Sequence, residues 1–155
     1  MRILAIDPGP ATSGMVLYDG RSVLQSWKAA TLDEVLAEVA RDGVDLVACE
    51  RVQSYGIAGS SLLQTAEVYG EIKRAAAHAG VRFVGMYRRD VLRTLKIRVR
   101  KGRDAAVRAE MIRRHGGSKR AAVGIKASPG PLYGVASHAW QALGLAVAVF
   151  GMEGK

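Results

Sequence analysis

The chain begins with three short stretches whose apolar and polar positions follow strand spacing. Residues 2–7 are an apolar run that Pro8 and Gly9 bring to an end. Residues 13–19 and 22–28 predict two more strands, with Asp19-Gly20 as the turn between them. The period then changes to that of a helix over 32–41, with Thr31 as the N-cap and Asp42-Gly43 as the stop. A fourth strand is predicted over 44–50, a Gly- and Ser-containing loop over 53–61, and a long helix over 62–79 ended by Gly80. Residues 81–86 predict a fifth strand, and 87–96 and 103–115 two helices joined by a basic link. The stretch 116–133, rich in Gly, Lys, Ser and Pro, reads as a flexible loop, and 134–149 as an apolar helix. Three consecutive strands followed by alternating helix and strand predict an α/β fold. Its mixed five-stranded sheet is part antiparallel hairpin, part parallel crossover, with helices on both faces. The length of 155 residues is that of a single domain, 1–155.

Composition narrows the class. No apolar run is long enough to span a bilayer, and 142–150 reads as a buried helix face. Cys49 is the only cysteine, so no internal disulfide can form and a cytoplasmic location is expected. Its place inside the fourth strand predicts a buried, inert thiol. The net charge of +9 is concentrated: between Arg82 and Lys126 stand fifteen Lys or Arg and three acids, Asp90, Asp104 and Glu110. The rest of the chain is slightly acidic. Such asymmetry is the electrostatic footprint of a polyanion binder, and these arginines lack the interleaved large apolar residues of a membrane-surface helix. Nucleic acid is therefore the expected partner.

Two acids stand out against this background. Asp7 closes the first strand and Glu50 the fourth, each after an apolar run. A carboxylate in such a place is costly unless a turn, a cation or a metal compensates it. If the two strands are neighbours, the pair makes an oxygen-rich site suited to a hard divalent cation, Mg²⁺ or Mn²⁺, which would relieve their repulsion. In the apolar last helix, His138 and Gln141 are three residues apart, a spacing that predicts one shared face toward the strand ends. His138 could ligate a metal or take a proton from an attacking water.

Ile6-Asp7-Pro8-Gly9, Ala48-Cys49-Glu50-Arg51-Val52 and 137–146 (Ser-His-Ala-Trp-Gln-Ala-Leu-Gly-Leu-Ala) resemble the RuvC-type Holliday-junction resolvases, especially their compact bacteriophage versions. The resemblance covers essentially the whole chain and implies a ribonuclease-H-like fold. It also implies a homodimer inside the bacterial host cell and paired, metal-dependent incisions of a four-way DNA junction. The implied ligands of two Mg²⁺ per site, with Mn²⁺ as substitute, are Asp7, Glu50, His138 and Gln141. At Gln141 the chain departs from the family's Asp; a neutral amide oxygen binds Mg²⁺ more weakly than a carboxylate. The amide is either natural, in a depleted ligand set, or an introduced change that slows cleavage.

On this reading Arg88, Arg89, Arg93, Lys96, Arg98, Arg100, Lys101 and Arg103 line a phosphate path, with Lys119, Arg120 and Lys126 on the loop beyond. Tyr55 is a candidate for stacking on a base at an opened crossover. The helix over 62–79, through Leu62, Leu63, Ala66, Tyr69, Gly70 and Ile72, is either a dimer surface or an ordinary core helix. The rival from another class is a non-catalytic junction-binding or architectural protein. A sugar-kinase-like or ATPase domain is disfavoured, because the length leaves no room for a second lobe.

Overall fold

The structure, a computed structural model, describes residues 1–54 and 56–154. Five strands form one sheet in the order β3-β2-β1-β4-β5: β1 Ile3–Asp7, β2 Ser13–Tyr18, β3 Val23–Ala30, β4 Leu46–Arg51 and β5 Arg82–Tyr87. The pairs β1–β2 and β2–β3 are antiparallel, while β1–β4 and β4–β5 are parallel. Parallel neighbours require crossovers, and helices supply them. Helix α1 (Leu32–Val39) connects β3 to β4, and α2 (Ser60–His78) connects β4 to β5. The Thr31 side chain accepts a hydrogen bond from the Glu34 N–H, and the Glu34 carboxylate accepts from the Thr31 N–H, which fixes where α1 starts.

Side chains alternate between the two faces of the sheet. Ile3, Ala5, Leu46 and Ala48 join one buried cluster, and Leu4, Ile6, Val47 and Cys49 the other. The second is covered by α1 and α2. The first is covered by α3 (Arg88–Thr94), α4 (Arg103–Arg114) and above all α6 (Ala139–Glu153), which packs on β1, β2 and β4. Leu143 and Leu145 are fully buried there, each worth about 1.5–3 kcal/mol relative to exposure. Gly144 lets α4 approach, since a Cβ on it would lie 2.6 Å from Val107 Cγ1. Among the described residues no helix is long and apolar enough to cross a membrane.

Two expectations are corrected. The stretch 116–133 holds α5 (Lys119–Ala122), capped by the Ser118 side chain, and a small hairpin of β6 (Gly124–Ile125) and β7 (Ser128–Pro129). Buried Ala122 and Leu132 anchor it, and the Val23 N–H donates to Pro131 O at 2.8 Å. Elements this short have no periodicity to read. The last helix also starts later than 134. Gly134 (φ 86°) and Ser137 (φ 49°) are left-handed, so the chain turns there, and α6 begins at Ala139. Apolar Val135 and Ala136 had extended the pattern beyond the helix itself. In α2, Ile72 is a core residue, whereas Leu63, Ala66 and Gly70 are exposed.

Candidate active site

The register of the sheet assembles the two acids. Ile6 pairs with Cys49 at the end of the parallel β1–β4 ladder, so Asp7 and Glu50 each follow that pair by one residue. Parallel neighbours in register point the same way, here toward the face that α6 covers. Both acids line one cleft of about 310 Å³, together with Pro8, Thr65, Arg51, Arg88, Arg89 and Arg103. Burial lifts the Asp7 carboxyl to about 6; Arg88 lowers it and Asp104 adds to the rise. Burial, and then the neighbouring Asp7 charge, lift Glu50 to about 7, with Arg88 offsetting part of the shift. Cys49 is buried between the two strand ends, and burial pushes its thiol well up, which makes it inert.

His138 is the residue immediately before α6, and its Nδ1 lies 3.6 Å from Asp7 Oδ2. Its placement depends on a glycine. Gly14 pairs with Asp7 across the β1–β2 ladder, and a Cβ on it would sit 2.6 Å from His138 O and 2.7 Å from Ala139 N. The bare glycine lets the start of α6 rest on β2 and brings the imidazole to the acid.

Gln141 and His138 have different surroundings. The imidazole is 74% exposed, whereas Gln141 is only 7% exposed, and its Oε1 is buried with no hydrogen-bond partner among the described residues. His138 is the N-cap of α6, in helical conformation, and its carbonyl accepts a hydrogen bond from the Gln141 N–H at 3.0 Å. Gln141 lines an adjoining cavity with Asp104, Arg108, Ser137 and Trp140.

Asp7 and Glu50 fit a hard divalent cation in kind. Both offer carboxylate oxygens, both are lifted by burial, and an imidazole nitrogen stands beside one of them. Among the described residues, however, no three His, Cys, Asp or Glu side chains are close enough to hold an ion together. Of the arginines lining the cleft, Arg88 pairs with Glu50. Its Nη1 donates to Glu50 Oε2 at 3.2 Å, and its Nη2 donates to Asp104. Arg88, expected on the phosphate path, is thus engaged by two carboxylates.

Of the other basic residues, Arg89, Arg93, Lys96, Arg98 and Arg103 surround a cavity of about 750 Å³ floored by Leu92, Ile97 and Val99. Arg93 is ion-paired to Asp90 within α3. Arg100 and Lys101 are exposed on the link before α4. Lys119 and Arg120 on α5, and Lys126 in the β6–β7 turn, are exposed and line neither the acid cleft nor this cavity. Tyr55 lies outside the described residues. Sequence reasoning missed three groups at the site: Asp104, Arg51 and Tyr87. Asp104 had a signal as one of three acids in the basic stretch, and Arg51 as the residue directly after Glu50. For Tyr87 there was none.

No family model matches the sequence, and no curated protein matches it. Solved structures do. Thermus thermophilus RuvC in complex with a Holliday junction substrate superposes with a TM-score of 0.66 at 20% identity, covering 99% of this chain and 95% of that one. A second structure of Thermus thermophilus RuvC gives 0.65 at 20% identity, covering 99% and 97%. With the strand order and the helices on both faces, this likeness establishes that the chain has the ribonuclease-H-like α/β fold of RuvC over essentially its whole length.

Proposed function

We propose that this chain is a structure-specific endonuclease that resolves four-way DNA junctions by paired, divalent-metal-dependent hydrolysis. The observation that carries the reading is the meeting of Asp7, Glu50 and His138 at the ends of β1, β4 and the start of α6, inside an arginine-lined cleft. A RuvC of the same fold has been captured with a Holliday junction substrate, which supports the choice of substrate. The three quoted motifs are the support for a compact, bacteriophage-like version working in the cytoplasm of the host.

Asp7 and Glu50 are the proposed holders of the metal, two Mg²⁺ or Mn²⁺ per site, with Gln141 as a further donor and His138 either as a ligand or as the base. Metal bound there would supply Lewis-acid stabilisation of the negative charge on the phosphate oxygens. The remaining work falls to the chain's own side chains. The His138 Nδ1 edge faces Asp7, and its Nε2 has no protein partner among the described residues, leaving it to take the proton of the attacking water. Water oxygen bonds to phosphorus, the P–O3′ bond breaks, and the 3′ oxygen is protonated by solvent, leaving a 5′ phosphate and a 3′ hydroxyl. Arg89 and Arg103, on the rim, hold non-bridging oxygens.

A junction has two strands to cut, so a two-fold dimer matches it. The exposed line of Leu63, Ala66 and Gly70 on α2 is the proposed dimer face. The test is a four-way junction labelled on each strand in turn and incubated with Mg²⁺ or Mn²⁺. Symmetric, religatable nicks are expected. Tight binding without nicks in either metal would identify a non-catalytic junction-binding protein instead.

A further inference from the structure

We propose that Arg51, seated on Tyr87, forms a separate phosphodiester-binding subsite that receives the phosphate adjoining the one cut. The proposal rests on the nuclease reading for the identity of its ligand, while its geometry stands on its own. Arg51 and Tyr87 are the last pair of the parallel β4–β5 ladder. By alternation Arg51 leaves the sheet on the face opposite Glu50, toward α2. Standing at the strand's end, it still lines the same cleft as Asp7 and Glu50. It therefore reaches the site from the side that Arg88 does not serve.

Two features hold this side chain before any ligand arrives. Gly85, two residues before Tyr87, leaves room for its stem: a Cβ there would lie 3.1 and 3.2 Å from Arg51 Cγ and Cδ, and would collide with Tyr69 Oη. The guanidinium carbon then sits 4.6 Å from the Tyr87 ring centroid. A second guanidinium, that of Arg89, lies 5.4 Å from the same centroid. Such stacking holds the planar group while leaving its N–H donors free to point outward.

The charge of Arg51 is also unspent. Arg88 is engaged by Glu50 and Asp104, Arg93 by Asp90, and Arg82 by Glu153. Among the described residues Arg51 makes no ion pair. An exposed arginine is ordinarily a mobile, solvated cation whose ordering costs side-chain entropy on binding. Here the stem is held by the notch over Gly85 and the head by an aromatic ring, so much of that cost is met in the free protein. A fixed fork of donors with no carboxylate partner, beside an acidic pocket, matches the two non-bridging oxygens of a phosphodiester.

The test compares Arg51→Gln, Tyr87→Leu and, as a control, Arg41→Ala, whose charge is paired with Glu38 away from the cleft. Binding of a labelled four-way junction is measured in metal-free buffer over a range of salt, and cleavage kinetics in Mg²⁺. Arg51→Gln is expected to raise Kd about tenfold and lower the log–log salt slope by about one, with the kinetic loss falling on KM more than kcat. Tyr87→Leu should weaken binding with the salt slope unchanged, because it removes the support and not the charge. Arg41→Ala should leave both readouts at wild-type values. Wild-type affinity and slope in Arg51→Gln would overturn the subsite, as would a loss confined to kcat. If the wild type binds junctions but never nicks them, the nuclease reading fails while the binding measurements still decide the subsite.

Discussion

Gly14 and His138 touch backbone to backbone: a Cβ on the glycine would stand 2.6 Å from the His138 carbonyl oxygen. Because Gly14 is also the cross-strand partner of Asp7, this one contact sets the distance between imidazole and acid. Gly14→Ala is expected to destabilise the fold by about 1–3 kcal/mol through overpacking, measured by denaturant unfolding. It should also slow junction cleavage more than it weakens junction binding, because His138 is displaced while the basic rim is not.

Asp7 should make the metal-free protein less stable as pH rises. Its carboxyl titrates near 6 when folded, against 3.8 ordinarily. Below about 3.8 it is protonated in both folded and unfolded chains and costs nothing; above about 6 the buried charge weighs fully against folding. Asp7→Asn is therefore expected to melt about 3 °C or more above the wild type at pH 8 in chelator. The two should converge near pH 4. Thermal melts across that range check both ends.

Glu110 has the opposite sign. Arg113 donates to it through Nε and Nη2, each at 2.8 Å, and Arg114 through Nε at 2.7 Å. The Arg113 hydrogen bonds are the main reason its carboxyl falls from 4.5 to about 2. The stability it contributes is complete above about 4.5 and is lost as pH falls through about 2. Glu110→Gln should melt lower than the wild type at neutral pH, and the difference should disappear at the acid limit.

Arg88 competes with any metal for Glu50. Removing it with Arg88→Ala takes away the cation that offsets the acid pair. Mn²⁺ affinity, read by calorimetry, is expected to rise about threefold or more, while salt-sensitive junction binding weakens or stays the same.

Gln141 offers a gain-of-function test. Its Oε1 is buried without a partner among the described residues, so the position already presents an unsatisfied oxygen. Gln141→Asp is expected to raise the nicking rate about tenfold or more if the amide limits metal binding. Without metal the same variant should melt lower, because a buried carboxylate replaces a neutral amide.

The strands and the acid pair were legible in the sequence because each rests on local patterning. An apolar run ending in Asp7 or Glu50 is visible in six residues, and the parallel register that aligns them follows from β1 and β4 being neighbours. The start of α6 was not legible. Its onset is set by left-handed Ser137 and by the Gly14 contact, neither of which interrupts the apolar pattern. Spacing alone does not show that His138 ends exposed beside Asp7 while Gln141 ends buried. Arg51 and Asp104 escaped because their roles depend on Tyr87 and Arg88, residues far away in the chain. Charge counting treats every arginine alike, whereas the fold separates paired Arg88 from stacked Arg51.

The central claim is that Asp7 and Glu50 together hold divalent metal. Mn²⁺ titration followed by electron paramagnetic resonance, on the wild type and on the Asp7→Asn, Glu50→Gln double variant, tests it without reference to cleavage. The account predicts saturable Mn²⁺ binding in the wild type and its loss in the double variant. Equal Mn²⁺ binding by the two proteins, or none by the wild type, would contradict it.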